Sequence, residues 1–121
     1  MGTVSAGDVA DIDIAVSHAT KALPGWKRFP GSDKARMLYR LGKLIERDAD
    51  IFAAIHALDA GLVFDHVKAL DIKMAVDVMR HFGGWADKIS GRITEIPNGT
   101  GYVRREPYGV CGLIIPWNAP L

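Results

Sequence analysis

The chain has 121 residues, which is enough for one domain with a modest core. Hydrophobic residues make up 49% of it and charged residues 24%, a balance that excludes the disordered, collagen-like and disulfide-rich classes. Lys and Arg number 15 against 14 Asp and Glu, and the net charge of +1 gives no reason to expect nucleic acid as a partner.

Two further features bear on location. The apolar runs are far shorter than the roughly 20 residues that span a bilayer, and the first residues do not resemble a signal peptide, so we expect no membrane partner. The single cysteine, Cys111, cannot form an internal disulfide. The expected location is therefore the cytoplasm.

Apolar residues at helical spacing predict three helices in the first half of the chain. The first should end at Pro24-Gly25, the second should begin at the N-cap Ser32, and the third should begin at Asp48 and end near Gly61. Their predicted apolar positions are Val9, Ile12, Val16, Ala19 and Leu23, then Met37, Leu38, Leu41, Leu44 and Ile45, then Ile51, Ile55 and Leu58.

A fourth, longer helix is predicted by apolar residues spaced by threes and fours. Its predicted stripe is Val67, Leu70, Met74, Val78, Phe82, Trp85 and Ile89. Gly83 and Gly84 lie inside this helix at a cost of about 1 kcal/mol each relative to alanine, which favours close packing against another backbone there.

After Gly91 the pattern becomes strand-like. Residues 92–96 and 102–106 alternate around the turn residues 97–101, which predicts a hairpin with a loop longer than two residues. Residues 110–115 are apolar without alternation, as in a parallel strand covered on both faces. We therefore expect the incomplete start of an α/β fold: four helices, a hairpin, and the first strand of a parallel sheet.

Sequence motifs exclude several chemistries. Gly109 to Gly112 do not form a G-x-G-x-x-G motif and precede a strand, so they do not predict a dinucleotide-binding loop. The four histidines lie on different predicted helices, and no metal site is expected. Cys111 lies between apolar neighbours in the predicted strand, which favours a buried structural thiol over a nucleophile.

The segment after that strand is the strongest candidate for chemistry, because ligands of open α/β sheets bind beyond the carboxyl ends of strands. Asn118 lies there. Its amide can donate two hydrogen bonds without carrying charge, which suits an oxyanion on a substrate carbonyl. A role as the N-cap of a following helix is the equal alternative.

Residues 105–121, REPYGVCGLIIPWNAPL, closely resemble a signature of the aldehyde dehydrogenase superfamily. The resemblance extends upstream through FGGWADK at 82–88 and LDAG at 58–61, and it covers nearly the whole chain. It implies that the chain is the first quarter of such an enzyme. Residues 1–91 would then be the helical part of the NAD(P)-binding domain, 92–107 the hairpin of an oligomerisation arm, and 108–121 the first strand and loop of the NAD(P)-binding domain.

The resemblance also implies a reaction, the NAD- or NADP-dependent oxidation of an aldehyde to a carboxylic acid. Asn118 would hold the oxyanion, and the cofactor site would include Ile114, Ile115, Pro116 and Trp117. The family's catalytic cysteine and glutamate match no residue here, so we expect the isolated chain to be inactive and the complete enzyme to be a homo-oligomer. The alternative is a non-catalytic short protein that pairs with a full-length relative.

Three positions depart from the family pattern. His56 stands where glutamate is common, Leu62 replaces a common lysine, and Ala119 replaces the usual Phe or Tyr after Asn118. The third change removes an aromatic side chain that lines the substrate tunnel in many members, so it bears on substrate preference.

Overall fold

The computed structural model describes residues 2–121. These residues divide into two compact units, which are described separately. One contains residues 2–29 and Glu106–Gly112, and the other contains Pro30–Arg105 and Leu113–Leu121.

The first unit is built on helix α1, Val9–Arg28. A capping box starts the helix: the Asp8 carboxylate accepts from the Val9 N–H, and the Asp11 carboxylate accepts from the Asp8 N–H at 2.8 Å. The predicted end at Pro24-Gly25 is wrong, because α1 continues through Pro24 to Arg28. Proline removes one helical hydrogen bond, and that loss does not force the chain out of a helix.

Helices α2, Gly31–Arg47, and α3, Ala49–Ala60, open the second unit. The N-cap of α2 is Pro30 rather than the predicted Ser32. Asp48 is the N-cap of α3, as predicted, although its carboxylate bonds the Arg47 guanidinium instead of a helix N–H. Gly61 ends α3 in the left-handed conformation with φ 67°, which confirms the predicted stop.

The predicted fourth helix is present, but it is not a uniform α-helix. Helix α4, Phe64–His66, passes into a π-helical turn, Val67–Ile72, and then into α5, Lys73–Trp85. Residues 64–85, the long helix, therefore form one continuous helical segment that ends before the predicted Ile89.

The π-turn decides which side of the long helix is buried. In an α-helix five residues advance about 500°, so Val67 and Ile72 would lie about 140° apart. The wider π-turn brings residues five apart onto one face, and both side chains are buried. The rest of the predicted stripe, from Leu70 to Trp85, is exposed, so that part of the prediction is wrong.

A small core joins α2, α3 and the long helix. Its buried members are Ile45, Ala53, Val67, Ile72 and Val76, and partly buried Ala49, Phe52, Ala57 and Met79 pack against them. In α3 the apolar positions that predicted the helix, Ile51, Ile55 and Leu58, are exposed. The core is assembled from a neighbouring stripe because the most apolar stripe of α3 has no cover among the described residues.

Two glycines permit close helix packing. A Cβ at Gly83 would lie 2.9 Å from Cε1 of the Tyr39 ring, which confirms close packing at this glycine, against a side chain instead of the predicted backbone. A Cβ at Gly42 would lie 3.4 Å from Cβ of Met79. Helices α2 and α5 therefore approach each other closely at Gly42 and Gly83, because neither glycine has a side chain.

Strands β1, Arg92–Ile96, and β2, Gly99–Val103, form the predicted antiparallel hairpin. Ile96 pairs with Gly99, so the loop contains only Pro97 and Asn98, and the prediction of a longer loop is wrong. Proline fixes φ at the first loop position, and Asn98 has φ 64°, a combination found in type II turns.

Residues 110–115 do not form the predicted strand in this structure. A strand is held by a ladder of hydrogen bonds, and no described residue pairs with this segment. The same lack of cover contradicts the predicted burial of Cys111, which is exposed.

Candidate functional site

Three of the five predicted site residues, Pro116, Trp117 and Asn118, lie in one tight turn, and the other two directly precede it. The Ala119 N–H donates to the Pro116 carbonyl oxygen at 3.1 Å, which folds Pro116, Trp117, Asn118 and Ala119 into a β-turn. Ile114 and Ile115 run directly into that turn. Asn118 therefore projects from a hydrogen-bonded corner of the backbone.

All of these side chains are exposed, and Ile114 is fully so. The side chain of Asn118 makes no hydrogen bond to another residue of the described part of the chain. Residues 113–121 contain no ionisable side chain, so they cannot perform acid–base chemistry. What they offer is neutral donors, the Asn118 amide and the Trp117 indole N–H, beside apolar surface.

The thiol of Cys111 contacts the backbone of its own segment. Cys111 Sγ lies 3.7 Å from the carbonyl oxygen of Gly109. Among residues 2–121 there is no group of three or more His, Cys, Asp or Glu side chains that could hold a metal ion.

The charged side chains whose pKa departs from its usual value also lie outside residues 113–121. Lys73 Nζ donates to Asp77 Oδ2 at 2.6 Å and thereby lowers the pKa of Asp77. Arg47 lowers the pKa of Asp48 and Lys88 that of Asp87, in each case chiefly through a side-chain hydrogen bond. These are exposed pairs on helices or just beyond them, and they are typical of solvated surfaces.

The burial of one polar side chain was not predicted from the sequence. His56 of α3 is 3% exposed, and its Nδ1 lies 3.6 Å from Asp71 Oδ2 in the π-turn. The available signal was the spacing of Phe52, His56 and Ala57, which places the histidine on the inner face of an apolar helix.

Comparison with known proteins identifies the class. The family model of the aldehyde dehydrogenase family matches residues 1–121. An aldehyde dehydrogenase of Alternaria alternata is 44% identical over 113 residues, 92% of this chain and 23% of that protein. Aldehyde dehydrogenase, cytosolic 1, of Mus musculus is 43% identical over 122 residues, 98% of this chain and 24% of that protein.

Solved structures are also similar to this chain. The crystal structure of PnpE from Pseudomonas sp. WBC-3 matches with a TM-score of 0.91 and 35% identity, covering 97% of this chain and 24% of PnpE. PnpE in complex with nicotinamide adenine dinucleotide matches with a TM-score of 0.81 and 32% identity, covering 86% of this chain and 22% of PnpE.

The chain belongs to the aldehyde dehydrogenase family. It matches the N-terminal quarter of these relatives, and its helices and hairpin are part of their α/β fold. Both the resemblance found in the sequence and the predicted fold class are thereby confirmed. No helix among residues 2–121 is long and apolar enough to cross a bilayer.

Proposed function

We propose that this chain supplies the N-terminal part of an NAD(P)-dependent aldehyde dehydrogenase, which oxidises an aldehyde to a carboxylic acid. The observation that carries the proposal is the position of Asn118. In a chain of this family, its amide projects from the Pro116–Ala119 turn and makes no hydrogen bond to another described residue.

The proposed role of Asn118 is to donate an N–H to the aldehyde oxygen. As a thiolate adds to the carbonyl carbon, that oxygen becomes negative, so the hydrogen bond strengthens while the barrier is crossed. The amide does not titrate, and its donor stays available at any working pH. The resemblance implies that the family's nucleophilic cysteine and its glutamate match no residue of this chain, and that Cys111 matches a strand position of the family instead. We therefore propose that the chain alone is inactive.

The residues proposed to contact the cofactor are Ile114, Ile115, Pro116 and Trp117. They present apolar surface and one indole plane, which fits the flat rings of a dinucleotide. Residues 113–121 carry no lysine or arginine, so the phosphates would need other partners. The chemistry that NAD(P)⁺ supplies when bound is acceptance of a hydride. PnpE, a structural relative, is known in complex with nicotinamide adenine dinucleotide.

The β1–β2 hairpin is the element we propose for assembly. In the described residues each of its strands pairs only with the other, so both outer edges offer backbone donors and acceptors to another chain. The complete enzyme would then be a homo-oligomer. A cytoplasmic location is proposed with it, and one relative bears the name cytosolic.

The decisive experiment uses a complete enzyme, made by joining this chain to the remaining three quarters of PnpE. Asn118→Ala should lower kcat by about a hundred- to a thousandfold, roughly 2.7–4 kcal/mol, because one preorganised donor to the oxyanion is lost. NAD(P) affinity and melting temperature should change little. NADH formation with short aldehydes and a thermal melt of the same sample provide the measurements.

The matched control is Asn98→Gly, which changes the other asparagine that lies in a turn. Asn98 has a positive φ, and glycine adopts that conformation without strain. The substitution should leave kcat unchanged. If Asn118→Ala keeps a near-normal kcat and lowers the free energy of unfolding by about 1 kcal/mol, Asn118 is a helix cap and the proposed role is wrong. NADH formed by the pure 121-residue chain, and lost in Cys111→Ser, would contradict the proposed inactivity.

A further inference from the structure

The buried histidine of α3 has no ordinary partner. His56 is 3% exposed, and within the described residues neither Nδ1 nor Nε2 makes a hydrogen bond. The Asp71 carboxylate lies 3.6 Å from Nδ1, and the Asp71 side chain is 33% exposed. Burying a polar ring without hydrogen bonds is unfavourable, and an apolar side chain would fill the same space without that penalty. Stability alone does not explain the histidine.

The alternative explanation is conformational specificity, since a buried polar group can fix the register of packed helices. The long helix has two apolar stripes that compete for the core. In the structure one stripe is turned inward, namely Ile72, Val76 and Met79, and the other is exposed, namely Leu70, Met74 and Val78.

The position of Asp71 distinguishes the two arrangements. An uninterrupted α-helix anchored at Val67 would bury Leu70 and Met74 and would also place Asp71, four residues from Val67 and about 40° around the helix from it, on the buried face. With the π-turn, Ile72 takes that buried place and Asp71 lies at the margin, beside His56.

We propose that the His56–Asp71 pair selects the π-turn over an uninterrupted α-helix and thereby sets which face of α5 is turned to the core. This role goes beyond the proposed enzyme activity and does not depend on it. An ion pair, Lys68–Asp50, joins the same two elements at the exposed surface. It provides a control, because it lies away from the buried face.

Methionine oxidation by dilute hydrogen peroxide reports the register, since the exposed thioethers react first. Met74 is 57% exposed, Met79 packs against the core, and exposed Met37 on α2 is the internal standard. The 121-residue chain is used at a dilution where sedimentation shows a monomer. In the unmodified chain, Met74 should oxidise faster than Met79.

Asp71→Leu should reverse this order, because it removes the carboxylate that the uninterrupted helix would bury, so that the Leu70, Met74 and Val78 stripe can turn inward and Met79 outward. His56→Leu should narrow the difference between the two rates, because Asp71 loses its neighbour but its burial still opposes the uninterrupted helix. Asp50→Leu should leave the order unchanged. If Met74 still oxidises faster than Met79 in helical Asp71→Leu, or if helical His56→Leu leaves the ratio of the two rates unchanged, the proposal is wrong. Should a variant lose its helical circular dichroism, Asp71→Asn, which preserves size, decides the question: an unchanged ratio of the two rates overturns the proposal, and a ratio shifted toward Met79 supports it.

Discussion

The helices of residues 31–85 and the segment of residues 110–121 are both rich in apolar side chains, yet only the helices bury them. Ile72 is 2% exposed, whereas Ile114 is fully exposed. The difference is in their neighbours: α2 and α3 cover one face of the long helix, and no described residue pairs with residues 110–115. An apolar pattern predicts that a surface packs against something, but it does not identify the packing partner.

A matched pair of substitutions tests this contrast most strongly. Ile72→Ala should lower the free energy of unfolding of the chain by about 2–5 kcal/mol, because it leaves a cavity in the core. Ile114→Ala, the same chemical change at an exposed position, should alter it by no more than about 0.5 kcal/mol. Chemical denaturation followed by circular dichroism gives both values.

The contrast sharpens when the rest of the enzyme is present. In the fusion with PnpE, Ile114→Ala should become destabilising, because residues 110–115 would then form a covered strand. Equal effects of Ile72→Ala and Ile114→Ala in the isolated chain would show that the segment is already packed and that the contrast is false.

The sequence predicted elements better than it predicted faces. Four helices and the hairpin follow from periodicity and from local signals such as Asp48 and Gly61, which act within a few residues. The buried face of the long helix could not be predicted, because one π-turn changes the phase of every later residue and nothing in the periodicity marks that turn. Periodicity alone favours Leu70 and Met74, and the structure buries Ile72 and Val76.

The candidate site was predictable in part. A polar residue after an apolar run marked Asn118 as a possible oxyanion donor, but helix capping was an equal alternative until the family resemblance was considered. The structure adds the Pro116–Ala119 turn that carries the side chain. The contacts of residues 114–118 with substrate and cofactor stay predictions, since they depend on groups outside the described residues.

The next prediction concerns Ala119, which adjoins Asn118 in the exposed segment. If the proposed function is correct, replacing the family's aromatic residue by a methyl group widens the substrate tunnel. Ala119→Phe in the completed enzyme should then lower kcat/KM for branched or aromatic aldehydes by about 10–200-fold, 1–3 kcal/mol, relative to acetaldehyde. Steady-state rates with both substrates measure the ratio, and an equal change for both would show that Ala119 does not select substrates.

Two adjacent glycines test the packed side of the comparison. A Cβ at Gly83 would lie 2.9 Å from the Tyr39 ring, whereas one at Gly84 would lie 3.6 Å from the Tyr39 hydroxyl oxygen, an ordinary contact. Gly84→Ala should therefore stabilise the chain by up to about 1 kcal/mol through helix propensity. Gly83→Ala should destabilise it, by about 1–3 kcal/mol, because the ring must move. Melting of both variants decides, and equal gains would mean that α2 and α5 are not closely packed there.

The smallest effect is expected on the uncovered face of the long helix, where Lys73 donates to Asp77 and lowers its pKa. Because the folded-state pKa is depressed, the pair stabilises the chain above the usual carboxyl pKa, and this contribution is lost as the pH falls through the folded-state pKa. Lys73→Gln should raise the pKa of Asp77 toward its usual value, and stability should barely change because the pair is exposed. Carboxyl-carbon NMR titration measures the pKa of Asp77. The matched control is Lys88→Gln, which removes the partner of Asp87 and should leave the pKa of Asp77 unchanged. If the pKa of Asp77 does not move, Lys73 does not hold this carboxylate in solution and the exposed face is arranged differently.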